Sequence, residues 1–236
     1  MTRFAAVAFL LILAASPATA QDRPATASTL QRNFEAMVFD ATVEVLPWSP
    51  FRRWREEVRA VLIGEGSEAF APHLRALFGE FEALTGIRFT LSESDSAATV
   101  EIVFARRDWY LGAAARSFTE PERVQCFSNT VMGGQGWMLS GFVVIPDDLP
   151  RREVEVCLAH EMMHILGFSG HPSRTFSSVL RNGNAPSALT INDRILLRAF
   201  YDPELRAGML HEEMFAASQR ILRTLRDAVM RSDDAM

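Results

Sequence analysis

The sequence predicts an α+β domain built around one buried helix. Three observations carry this. Apolar residues alternate in short runs in some segments and recur at helical spacing in others, in interspersed order. The stretch from Arg151 to Leu166 is apolar almost all round, as helices covered on several sides are. Composition is that of a globular chain, 48% hydrophobic and 22% charged. All 24 basic residues are Arg against 29 acidic ones, and a net charge of −5 gives no electrostatic case for nucleic-acid binding.

Residues 1–20 read as a secretory signal. Arg3 precedes the apolar run Phe4 to Ala15, Ser16-Pro17 break it, and Ala18-Thr19-Ala20 supplies the small-x-small cleavage pattern. Twelve apolar residues span about 18 Å as helix, short of a hydrocarbon core of about 30 Å. No later segment is long and apolar enough to span a bilayer, so the expected product is exported, periplasmic or secreted, without an integral membrane segment. Its oligomeric state is not legible. Residues 21–29 form a polar tail expected to be flexible, and 30–236 a single domain with an αβ lobe to about residue 168 and a helical C-terminal lobe from 169.

Leu30, Phe34, Met37 and Val38 predict a first helix over 30–39. Val58 to Ile63 alternates as a strand, although Trp54, Val58, Val61 and Leu62 also fit a helical period. Ser67 to Leu84 is an amphipathic helix stopped by Gly86. Strands follow at Ile87–Leu91 and Thr99–Phe104, and after a Gly-rich loop at Phe142–Ile145, ended by Pro146. The central helix occupies Arg151–Leu166, and Met209–Met230 forms a last amphipathic helix.

The central helix carries His160-Glu161-Met162-Met163-His164, an H-E-x-x-H motif. Histidines four apart lie on one helical face, so both imidazoles can reach a single cation, with Glu161 beside them as a general base. Gly167 stands where the helix should turn back, and His171 follows four residues later. Three protein ligands, His160, His164 and His171, leave a fourth position open, as a catalytic zinc site requires. Glu204, Glu212 and Glu213 are alternative carboxylate ligands. His73, His211, Tyr201 and the four Trp (48, 54, 109, 137) read as surface or packing residues. Cys126 and Cys157 are the whole cysteine supply of an exported chain. They form either a bridge across a loop of about 30 residues or two buried thiols.

This stretch resembles the zincin superfamily of zinc metallopeptidases, in particular the metzincins, whose string is H-E-x-x-H-x-x-G-x-x-H. Here one extra residue precedes His171. The resemblance implies a zincin-like fold: a mixed twisted sheet with an antiparallel edge strand, the central metal helix, and one Zn2+. It implies an exported zinc metalloendopeptidase that hydrolyses peptide bonds with a zinc-activated water and Glu161 as base. It makes the strand before the helix the edge strand, so that Gly141, Phe142, Val143, Val144 and Ile145 would bind a peptide or protein substrate by strand addition. The position of the metzincin Met-containing turn is held here by Ser177–Leu180, without Met. The stretch Leu189–Pro203 is similar to the helix closing matrix-metalloprotease-like domains, with Asp193 as its cap or anchor. Tyr201–Met209 also resembles the end of an exported bacterial family, domain of unknown function 2927, over roughly Leu30 to Met209. A different class of function, an exported binding or assembly protein on the same scaffold, stays open beside hydrolysis. Glu161 favours the enzyme, because a structural metal needs no base.

Overall fold

A computed structural model describes residues 23–39 and 51–233. The signal sequence and Trp48 lie outside them. The elements, in order, are α1 (Ala27–Val38), β1 (Val58–Ile63), α2 (Ala71–Thr85), β2 (Phe89–Ser92), β3 (Val100–Ala105), α3 (Arg107–Ala114), β4 (Phe127–Met132), β5 (Met138–Pro146), α4 (Arg151–Ile165), α5 (Ile191–Phe200) and α6 (His211–Asp233). The fold is α+β as expected, with one mixed five-stranded sheet of order β2-β1-β3-β5-β4 and, among the described residues, six α-helices.

Helix α1 starts earlier than the hydrophobic pattern suggests, because capping rather than apolar spacing sets its first residue. The Thr26 side chain accepts from Thr29 N at 3.2 Å. The end of the segment expected to be flexible is therefore ordered. Ala25 N donates to Asn192 Oδ1 (2.9 Å) and Ala25 O accepts from Arg226 Nε (3.0 Å), tying it to α5 and α6. Strand β1 resolves the ambiguity over 58–63 in favour of extended chain, paired on both sides. The predicted helix from Ser67 divides into a 3-10 turn, Ser67–Phe70, and α2. Pro72 sits in the first turn of α2, where its missing N–H costs nothing, and left-handed Gly86 closes it.

The sheet corrects one expectation. β5 runs from Met138 to Pro146, and residues 141–145 are not an edge. They pair in parallel with β3 (Val100↔Gly141 through Phe104↔Ile145) and antiparallel with β4 (Thr130↔Gly141, Phe127↔Val144). With both rows of main-chain groups bonded inside the sheet, Gly141 to Ile145 cannot take up a substrate strand. The antiparallel edge is β4. Its exposed positions leave it with too few apolar residues to announce a strand in the sequence.

Helix α4 lies across β4 and β5 and enters the main core through Val154, Leu158, Ala159, Met162, Met163 and Ile165, each almost fully buried. Its approach depends on Gly141, where an added Cβ would stand 2.8 Å from Ile165 Cδ1 and 3.0 Å from Asn129 O. The C-terminal end of α4 is tied by two aromatic donors. Trp54 Nε1 bonds Ile165 O at 2.7 Å, and Tyr201 OH bonds Leu166 O at 2.9 Å, satisfying carbonyls that a helix end leaves open. Helices α1, α5 and α6 pack together beyond it. No helix among the described residues is long and apolar enough to cross a membrane.

Candidate metal centre

His160 and His164 project from one face of α4, and the chain then reverses at Gly167, whose φ of +118° suits glycine. A side chain there would also meet Arg52 O and Phe200 Cζ, each 2.7 Å from a built Cβ. The reversal brings His171 back beside the helix. His160 Nε2 lies 3.2 Å from His171 Nε2 and 3.2 Å from His164 Nε2, and one ligand atom from each ring lies within 4.8 Å of the other two. The extra residue before His171 is thus absorbed by the turn.

The outer ring nitrogens explain what these contacts are. His160 Nδ1 lies 2.9 Å from Val179 O, and His164 Nδ1 lies 2.6 Å from Phe168 O. A carbonyl only accepts, so both Nδ1 atoms carry a proton, which leaves Nε2 as the ring atom of each neutral imidazole that can ligate a metal. The ring nitrogens of His160, His164 and His171 converge on one point. They are an arrangement for a shared cation. Tetrahedral zinc with nitrogen at about 2.0–2.1 Å sets its ligands about 3.3 Å apart, close to the separations seen. Burial, then the neighbouring His164, lowers the His160 pKa to about 4, which keeps that imidazole unprotonated at neutral pH. The donor set therefore fits a divalent metal of zinc type, with carbonyl partners fixing the two helix-borne rings.

Asp193 supports this arrangement from beneath. It caps α5 in a reciprocal box with Thr190. The same buried carboxylate accepts from Ser178 Oγ (2.5 Å) and from Val179 N (3.0 Å), holding the residue whose carbonyl receives His160 Nδ1. Burial raises its pKa, and the bonds from Ser178, Thr190 and Val179 work against that rise. Asp193→Asn turns amide hydrogens toward these donors. It is expected to cost about 1–3 kcal/mol of stability and to weaken metal binding about 10–100-fold through His160. Urea unfolding and a metal titration measure both, and a variant with unchanged metal affinity would show that Asp193 serves α5 alone.

Glu161 is 3% exposed and accepts from Ser128 Oγ on β4 at 2.7 Å. Burial raises its pKa, while His160 and the Ser128 bond oppose the rise. It lines, with the three histidines, a cavity of roughly 760 Å³ bordered by β4 and by residues 181–185. Cys126 and Cys157 are joined in a disulfide (Cα–Cα 6.0 Å) that links the start of β4 to α4 one turn before His160.

The other candidates fall away from this cavity. Glu204 pairs with Arg220, while Glu212 and Glu213 are exposed on α6. His73 belongs to α2, and His211 packs on Phe39 with its ring 3.9 Å from Glu35. Tyr201 is a buried anchor. Ser128, Val179 and Phe168 escaped sequence reasoning, since two of them act through main-chain oxygens and the third sits on the unannounced strand.

Residues 27–220, most of the chain, match the family described as Protein of unknown function (DUF2927). No curated protein matches the sequence.

Proposed function

This chain belongs to the DUF2927 family, and for it we propose the function of an exported, zinc-dependent metallopeptidase on a zincin-like scaffold. One observation carries the reading: ligand atoms of His160, His164 and His171 converge within 4.8 Å of one another, with a buried carboxylate, Glu161, as the residue after His160 on the helix. His160, His164 and His171 would hold the ion. When bound, zinc supplies a Lewis acid for a peptide carbonyl and acidifies the water beside it.

The protein's own groups do the rest. Ser128 Oγ occupies Glu161 Oε2, leaving Oε1 to take a proton from the attacking water and return it to the departing amine. The raised pKa makes this carboxylate a stronger base than a solvated one. Substrate binding by strand addition passes from β5 to β4. Among the described residues β4 has β5 as its partner, and Phe127 to Thr130 border the cavity. Extended peptide laid along that edge places a carbonyl near the histidines. The turn at Ser177–Leu180, with Val179 under His160, takes the place of the metzincin Met-turn. Export is supported by the leader pattern and by the disulfide, which an oxidising compartment preserves.

The test is a digest of an unbiased peptide library by purified zinc-loaded protein. Cleavage abolished by a chelator and restored by zinc is expected. Stoichiometric zinc with no cleavage across the library would contradict hydrolysis and leave a metal-dependent binding protein.

A further inference from the structure

Two arginines that line the cavity, Arg52 and Arg181, have no part in hydrolysis or in the ion pairs of the described residues. Arg52 and Arg53 are neighbours on the segment that passes the end of α4, and burial lowers the pKa of both. Their guanidinium groups differ in use. Arg53 donates to the carbonyls of Tyr201, Asp202 and Leu205. Arg52 lines the cavity, and its guanidinium bonds to no hydrogen-bond acceptor and no carboxylate among the described residues.

Arg181 also lines the cavity, in the loop after the Val179 turn. It donates Nη2 to Asn184 O, its Nε is buried without a partner, and it pairs with no carboxylate among the described residues. The third arginine there, Arg123, is already paired with Glu120 at 3.0 Å. The one carboxylate lining this space among the described residues is Glu161, held by Ser128. Partly desolvated guanidinium without a counter-charge is costly, and a bound anion repays that cost.

We infer that Arg52 and Arg181 recognise a carboxylate of the substrate. The preferred peptide then presents either an acidic side chain or a free C-terminus in the cleft. This rests on reading the cavity as a peptide-binding site, and the planar guanidinium fork suits a carboxylate of either origin.

Binding separates this inference from hydrolysis. Glu161→Gln protein is titrated into four fluorescein-labelled forms of one alanine-rich octapeptide, followed by anisotropy. The forms have a central Glu or Gln, each with a free or an amidated C-terminus. A free C-terminus or a central Glu is expected to bind on the order of ten- to a hundredfold tighter than the neutral amidated form, and which of the two does so identifies the carboxylate. Arg52→Gln and Arg181→Gln, tested separately, should each erode that preference while metal content stays at the parent level. Arg52→Lys should restore part of it. Equal binding of all four peptides, or binding of none, overturns the inference. Library cleavage by wild type without charge preference would also overturn it while sparing hydrolysis. Arginine-dependent binding without any cleavage would uphold it and sink the peptidase reading.

Discussion

Glu161→Gln is expected to keep its metal and lose on the order of 10²–10⁴ in turnover, the range that general acid–base catalysis supplies. The substitution is nearly isosteric, and a glutamine oxygen still accepts from Ser128 Oγ, now 2.7 Å from Glu161 Oε2. The fold and the three imidazoles therefore stay in place while the group that moves the proton is gone. A loss of metal together with activity would assign Glu161 a structural part instead. Activity within a few fold of wild type would remove it from the chemistry. Metal content and initial rates on the same preparation distinguish these results.

Removing the disulfide by Cys126→Ser with Cys157→Ser is expected to have the largest effect on stability. The bridge joins positions 31 apart in sequence and ties the residue before the edge strand β4 to α4. Loop-closure entropy puts its contribution at roughly 3–4 kcal/mol, a fall in Tm of about 10 °C for a domain of this size. Because Cys157 lies one turn before His160, the looser helix should also bind metal less tightly. Thermal unfolding of both proteins, with and without reductant, measures the first effect. A double variant that unfolds with wild-type Tm would show that core packing alone holds α4 to the sheet.

What the sequence discloses here follows from where each signal is stored. The central helix was legible because its information is local: apolar residues on nearly every face, two histidines at helical spacing, a glycine at the reversal. The α5 cap at Asp193 was legible for the same reason, while the strand at 58–63 also fitted a helical period until its pairing with β2 and β3 decided it. Strand order was not. Val143, Val144 and Ile145 mark a buried strand equally well at an edge or in the interior, and only pairing with both β3 and β4 decides it. Strand β4 and helix α3 passed unnoticed because each buries only one or two of its residues. The ligand triad could be read from residue types, but the reason it fits a cation could not. That reason is the pair of carbonyls at Val179 and Phe168, main-chain atoms any residue would provide, which fix the tautomers of His160 and His164.

The claim on which the rest depends is that these imidazoles share one divalent ion. Metal analysis of purified wild type beside His171→Ala, with zinc affinity measured by competition against a chromogenic chelator, tests it most directly. One zinc per chain in wild type, with affinity falling steeply in the variant, is the predicted result. Wild-type protein that takes up no divalent metal under any loading condition, or a variant that binds zinc as tightly as its parent, would contradict it.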